Sequence, residues 1–278
     1  MSFRLLALDL DGTTLNSAKI LTHRTYNAIM ALVAQGWKVT LASGRRPQSM
    51  IDFARQLDIH IPIAAFNGGM ILDPQNLHVC RIHSIDKNKA IRCIERWHSE
   101  GIGVEMQNIN LEGQEYVYLG QSLDGYFRRD VFERLERQGN ALRLYTPDQL
   151  NFAPLRMLVG GSESLSLRAK ALVEDLLNTE LSGLWAMHSM DYDGLWFYEI
   201  VPSESTKGSA LSYISDLLGI HPDEVVAVGD QVNDIDMVQF AGLGVAMGNA
   251  VPELKAVADK VIGIHDEDGL AAFLETLI

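Results

Sequence analysis

The chain has 278 residues, 47% hydrophobic and 21% charged, the balance of an ordinary globular protein and not of a disordered one. With 23 Lys and Arg against 36 Asp and Glu, the formal net charge is −13, which argues against a protein that grips nucleic-acid phosphates; no basic run exceeds a pair, Arg45-Arg46 or Arg128-Arg129. Two cysteines, Cys80 and Cys93, make no disulfide framework, and no stretch approaches the roughly 18 unbroken apolar residues of a membrane helix. Met1 to Leu10 is too short and too charged for a signal peptide, so a cytoplasmic protein with no membrane partner is expected.

Phe3 to Leu8 is a nearly continuous apolar run, as expected of a strand buried on both faces. Thr22 can cap a helix with apolar positions at Ile29, Leu32 and Val33, and Gly36 stops it. Val39 to Ala42 reads as a second buried strand. Pro47 suits the first turn of a helix that ends near Asp58, and Ile61 to Phe66 reads as a third strand. The alternation returns at the far end. There the pattern predicts helix 205–218, strand 225–228, helix 235–241, strand 243–247, helix 253–258, strand 261–262 and a last helix from Asp268. Both ends together predict one α/β, doubly wound parallel sheet.

The middle has another character. It reads as helix 86–100, strands 102–107 and 115–119, helix 123–138, strand 141–145, a turn of helix near Pro147 to Leu150, strand 155–160, helix 163–178 and strands 183–190 and 195–200. Strand pairs separated by helices predict a mixed, mainly antiparallel α+β insert with helices on one face. The expected division is residues 1–83 and 196–278 for the core and 84–195 for the insert.

Three buried strands end in polar groups: Asp9-Leu10-Asp11-Gly12-Thr13, Ser43-Gly44-Arg45 and Gly229-Asp230. Open parallel sheets bind ligands at the carboxyl ends of their strands, so the topology gathers Asp9, Asp11, Ser43 and Asp230 around one crevice. In extended backbone Asp9 and Asp11 would point the same way. Lys207 at a helix start and the acidic residues Asp234 and Asp236 complete the set. Carboxylates converging on one lysine repel one another unless a cation lies among them, and hard oxygen ligands describe Mg²⁺. Helix starts beside Ser43 and Lys207 describe an anion site. Metal, phosphate and paired carboxylates point to phosphoryl transfer.

These residues resemble the four motifs of the haloacid dehalogenase superfamily, specifically its Cof-type phosphatases. The matches are Asp9 to Thr13, Ser43 within Leu41-Ala42-Ser43-Gly44-Arg45, Lys207 within Ser205-Thr206-Lys207-Gly208, and Gly229 to Met237. Ser43 follows Asp9 by 34 residues and Lys207 follows Ser43 by 164, which leaves room for a cap only between the second and third motifs. Gly69 after Asn67-Gly68 and Thr14 after Thr13 depart from the commoner residues without touching a motif. The resemblance implies that Asp9 attacks phosphorus and that Asp11 protonates the leaving alcohol and then activates water. It implies a Mg²⁺ site formed by Asp9, the Asp11 backbone carbonyl, Asp230 and Asp234. Phosphate or substrate binding falls to Ser43, Gly44, Arg45, Lys207 and Asn233, with His188, Tyr192 and Trp196 as candidates in the insert.

The substrate expected is a small-molecule phosphate ester. A phosphomutase or phosphotransferase shares the aspartyl phosphate and stays open, whereas the intact Asp9/Asp11 pair argues against a non-catalytic sugar-phosphate binder. A dinucleotide site fails because no Gly-x-Gly-x-x-Gly follows the first strand.

Overall fold

The computed structural model describes residues 3–102, 104–109, 115–120, 141–145, 152–161, 163–179, 182–190 and 196–278. The chain divides into two units, Met1–Ile82 with Glu204–Ile278, and His83–Ser203. No described helix is long and apolar enough to cross a membrane.

The first unit begins with β1 (Leu5–Leu8), α1 (His23–Ala34), β2 (Lys38–Leu41), α2 (Gln48–Gln56), β3 (Ile63–Ala65), β4 (Met70–Leu72) and β5 (Val79–Ile82). The second holds α3 (Lys87–Ser99), β6 (Val104–Ile109), β7 (Glu115–Gly120), β8 (Ala141–Tyr145), β9 (Arg156–Gly161), α4 (Glu163–Thr179), β10 (Leu184–Met190) and β11 (Trp196–Pro202). The first unit resumes with α5 (Lys207–Leu218), β12 (Val225–Gly229), α6 (Ile235–Phe240), β13 (Leu243–Ala246), α7 (Pro252–Lys255), β14 (Lys260–Val261) and α8 (Gly269–Leu274).

Five strands form the parallel sheet in the order β14-β13-β12-β1-β2. β1 lies inside it, with Leu5 opposite both Val225 and Lys38. All four β1 residues are buried, which is why the segment reads as an unbroken apolar run and not as an alternation. The Thr22 side chain caps α1 by accepting from the Thr25 N–H, and the helix buries Ala28, Ile29 and Leu32. Thr206 caps α5 in the same way, and left-handed Gly219 closes it.

The expected third strand departs from the parallel sheet. Among the described residues β3 meets it through one parallel bridge, Ala42 to Ala64. Instead β3 pairs antiparallel with β4, and β4 with β5, in a separate three-stranded sheet absent from the sequence reading. The cause is local. Phe66, Asn67 and Gly68 all take positive φ directly after β3, in a single short 3-10 turn that reverses the chain onto itself.

In the second unit the six-stranded sheet runs β10-β11-β9-β6-β7-β8, antiparallel except for the β7–β8 pair. Alternate residues Val104, Met106, Met157, Val159 and Ile200 pack with Ala90, Cys93, Ile94 and Trp97 of α3 and Ala169, Val173 and Leu176 of α4. The sequence boundary at 195/196 needs correction. β11, assigned there to the core, pairs on both sides within the insert sheet, Ile200 with Met157 and with Ala186. The expected helices at 123–138 and 147–150 lie outside the described residues.

Trp97 is among the largest fully buried side chains. Trp97→Ala should cost the insert about 3–5 kcal/mol. Hydrogen exchange should show protection lost in α3, β6 and β9 while β1 and β12 keep theirs; equal loss in both units would contradict separate cores.

Candidate active site

The chain leaves β1 at Leu8, and the Asp9 N–H still donates to the Val228 carbonyl at 3.1 Å, so Asp9 stands where β1 and β12 end. Gly12 then turns the chain with φ of 81°, and a Cβ there would lie 2.4 Å from Asp230 Oδ2. Only glycine lets the first motif come this close to the fourth. Thr13 Oγ1 donates to Asp230 Oδ1 at 3.3 Å, and Asn249 Nδ2 donates to the Gly12 carbonyl at 2.9 Å.

Lys207, the first residue of α5, is only 1% exposed. Its ammonium donates to Asp9 Oδ1 at 2.6 Å and to Asp234 Oδ1 at 2.5 Å. The other Asp234 oxygen accepts from the backbone N–H groups of Asp230 and Gln231, each at 2.9 Å. Asp9, Asp230 and Asp234 are all buried and offer carboxylate oxygens within 4.8 Å of one another. One ammonium cannot balance three carboxylates. Burial, with Asp234 and Asp230 adding, holds the Asp9 carboxyl well above its ordinary value against the pull of Lys207. Burial and Asp234 push Asp230 up to about 6, against Gln231, Lys207 and Thr13. Burial alone would lower the Lys207 ammonium, but Asp234 and Asp9 outweigh it and raise it. Surplus negative charge on hard oxygen donors fits a divalent cation.

Asp11 has different partners. Arg45 holds its carboxylate in a fork, Nε to Oδ2 at 2.6 Å and Nη2 to Oδ1 at 2.7 Å, and Lys19 Nζ adds a contact at 2.8 Å. Burial would raise this carboxyl, but the Arg45 and Lys19 hydrogen bonds outweigh it and hold it below the ordinary range. The two-residue alternation expected of Asp9 and Asp11 therefore gives no common set of partners, because β1 ends at Leu8 and the chain already turns at Leu10.

Ser43 is buried at the end of β2, where its hydroxyl accepts from the Arg45 N–H at 3.2 Å. A Cβ on Gly44 would meet the Asn67 amide at 3.1 Å. Asn233 Nδ2 donates to Asn67 Oδ1 at 2.8 Å. Asp236 stays apart from this cluster, its carboxylate accepting from the Met237 N–H in the first turn of α6. In the insert, backbone register sets His188 opposite Tyr198 and Trp196 opposite Met190 and Gly161. Tyr192 lies outside the described residues, as do the side chains of His188 and Trp196. Sequence reasoning missed Lys19 and Asn67. Lys19 belongs to no motif and is aimed by a turn in which it takes φ of 61°, while Asn67-Gly68 carried a turn signal that was not taken up.

A family profile described as haloacid dehalogenase-like hydrolase matches residues 6–274. The chain belongs to that family. Within it, this hydrolase is a phosphatase, a phosphoric monoester hydrolase. A Bacillus subtilis protein named 5-amino-6-(5-phospho-D-ribitylamino)uracil phosphatase is 28% identical over 284 residues, covering 98% of this chain and 96% of its own. A pyridoxal phosphate phosphatase of Escherichia coli is 27% identical over 281 residues, covering 99% and 98%. The crystal structure of a haloacid dehalogenase-like hydrolase from Bacteroides thetaiotaomicron superposes with a TM-score of 0.80 at 26% identity, each chain covered completely.

Replacing Lys207 with Met would leave Asp9 and Asp234 buried without their cation. Lys207→Met should lower stability by about 3–5 kcal/mol near neutral pH. The loss should shrink toward pH 5, where the Asp9 carboxyl, held above its ordinary value, can take up a proton instead. Denaturant unfolding at the two pH values checks this, and a variant as stable as the parent at pH 8 would contradict it.

Proposed function

We propose that this hydrolase cleaves small phosphorylated metabolites, sugar phosphates or comparable phosphomonoesters, through an aspartyl phosphate on Asp9 with the help of Mg²⁺. The observation that carries the reading is the buried set of Asp9, Asp230 and Asp234 around Lys207. The relatives support the substrate class. Two phosphatases named for unlike alcohols, a ribitylamino uracil and pyridoxal, share the phosphomonoester.

Asp9 forms the new bond to phosphorus while the ester P–O bond breaks, and the leaving oxygen takes its proton from Asp11. Asp11 then removes a proton from water, the resulting hydroxide attacks phosphorus, and the bond to Asp9 breaks with release of phosphate. A carboxylate about 3.5 Å from a phosphate dianion is repelled by about 9 kcal/mol at an effective dielectric near 20. Asp9, Asp230 and Asp234, with the Asp11 carbonyl, would hold Mg²⁺, which would supply the charge that offsets this repulsion. Lys207 holds Asp9 in place and adds positive charge beside it, and Ser43 with the backbone around Gly44 and the Asn233 amide binds the oxygens that are not transferred. Clamped by Arg45 and Lys19, Asp11 is ionised and cannot serve as an acid. In this reading substrate phosphate draws those two cations away, and Asp11 takes up a proton from solvent before the leaving oxygen receives it. The insert carries none of the four motifs, and its role in this reading is to select the alcohol part of the substrate.

A panel of phosphate esters assayed with Mg²⁺ tests the reading. Phosphate release is expected from several small metabolite esters, and Asp9→Asn should lose at least about a thousandfold in kcat and form no phosphoenzyme. An Asp9→Asn protein that still trapped an aspartyl phosphate would refute the nucleophile.

The raised carboxyls predict how the metal acts on stability. Asp230 ionises near pH 6 in the fold, above its unfolded value, so without metal its ionisation destabilises the fold increasingly as pH rises from about 4 through 6. Mg²⁺ relieves that cost only where the carboxylates are ionised. The rise in Tm on adding Mg²⁺ to chelator-treated protein should therefore be larger at pH 7.5 than at pH 5; an equal or greater rise at pH 5 would contradict the assignment.

A further inference from the structure

The reversal after β3 touches three of the four motifs at once. Phe66, Asn67 and Gly68 take φ of 51°, 54° and 92°, three left-handed residues in succession. For a bulky residue such as Phe66 this is a costly conformation, and strain of this kind persists where the surroundings dictate it. The surroundings here are the motifs. The Phe66 N–H donates to the Arg45 carbonyl and the Asn67 N–H to the Ser43 carbonyl, each at 3.0 Å. A Cβ on Gly68 would lie 2.1 Å from the Thr206 carbonyl oxygen, at the cap of the helix that begins with Lys207. The Asn67 side chain, on a residue 2% exposed, accepts from Asn233 of the fourth motif.

A carboxamide has one end that attracts phosphate and one that repels it. Asn233 donates one N–H to Asn67 Oδ1, which leaves the second N–H of the same nitrogen available, and its own Oδ1 has no hydrogen-bond partner. Among the described residues no other hydrogen bond holds the Asn233 amide, so without the Asn67 carbonyl it can rotate and present its oxygen instead.

We propose that Asn67 is a positioning residue for phosphate binding, acting through Asn233 by fixing which end of that amide is offered to the substrate. The inference rests on the phosphatase reading and on the assignment of Asn233 to the phosphate oxygens. Contacts to oxygens that are not transferred act on ground and transition states alike, so the effect belongs in KM and not in kcat.

Asn67→Gly isolates the amide. Glycine accepts the left-handed backbone without strain and keeps the N–H that bonds Ser43, so the turn is retained. In this variant, KM for a phosphate ester and the inhibition constant of inorganic phosphate should each rise about tenfold, the scale of one hydrogen bond to a charged group, with kcat within about twofold. Asn233→Ala should show the same pattern, and the double variant should lose no more than Asn233→Ala alone. Unchanged constants in Asn67→Gly, a fall confined to kcat, or full additivity in the double variant would each overturn the proposal. Asp9→Asn, assayed alongside, separates the two levels. If it retains the parent's phosphate release, the phosphatase mechanism itself fails; if it is inactive while Asn67→Gly matches the parent, only the role of Asn67 fails.

Discussion

The ammonium of Lys207, buried between Asp9 and Asp234, is the contact on which the rest of the site depends. It joins residues from three distant parts of the chain at the ends of β1 and β12 and the start of α5. Such a cluster is poor value as a source of stability, because desolvating these groups costs several kcal/mol per ion and a packed apolar set of the same volume would often serve the fold better. Under the proposed mechanism its retention follows from chemistry: a nucleophile at Asp9 has to be held still, kept dry and relieved of its repulsion toward phosphate. The ammonium does the first and part of the third. Three carboxylates against one lysine leave the remainder to a divalent cation.

The two aspartates of the first motif are separated electrically. Asp9 sits among other carboxylates, which raise its proton affinity, whereas Asp11 lies under two cations, which lower it. Two groups only two residues apart thus meet opposite environments because β1 ends at Leu8 and the chain turns away at Leu10 between them. Arg45 is central to this arrangement. It lies over the Phe53 ring of α2 at 5.5 Å while it holds Asp11, so the clamp is anchored in packing as well as in charge.

How much of this was legible in the sequence differs by element, for physical reasons. Strands buried on both faces, such as β1 and β12, are apolar throughout and announce themselves, and Asp9 and Asp230 follow at their ends. Thr22 and Gly219 mark helix ends by chemistry that acts locally. What escaped depends on distant partners or on backbone signs. β4 is three residues long and carries no period, and the left-handed run from Phe66 to Gly68 that sends β3 away from the parallel sheet has glycine at only one of its three positions. β11 reads as a strand in either unit, and only its pairing with β9 and β10 decides which. The Asp11 clamp needed Lys19, whose reach is set by a turn and not by a motif.

The position of β1 inside the parallel sheet has a consequence for the order in which the protein is made. One neighbour, β2, is translated about thirty residues later, whereas the other, β12, arrives only after more than two hundred. Ser17 and Thr22 are tied later still, by hydrogen bonds to Asp266 and Asp268. The second unit is contiguous in sequence, so it leaves the ribosome whole while β1 is paired with β2 on one side only and still lacks β12. The strand that leads into Asp9 thus carries the longest-range pairing in its sheet, and its unpaired edge is the surface that a nascent chain must keep from aggregating until β12 is made.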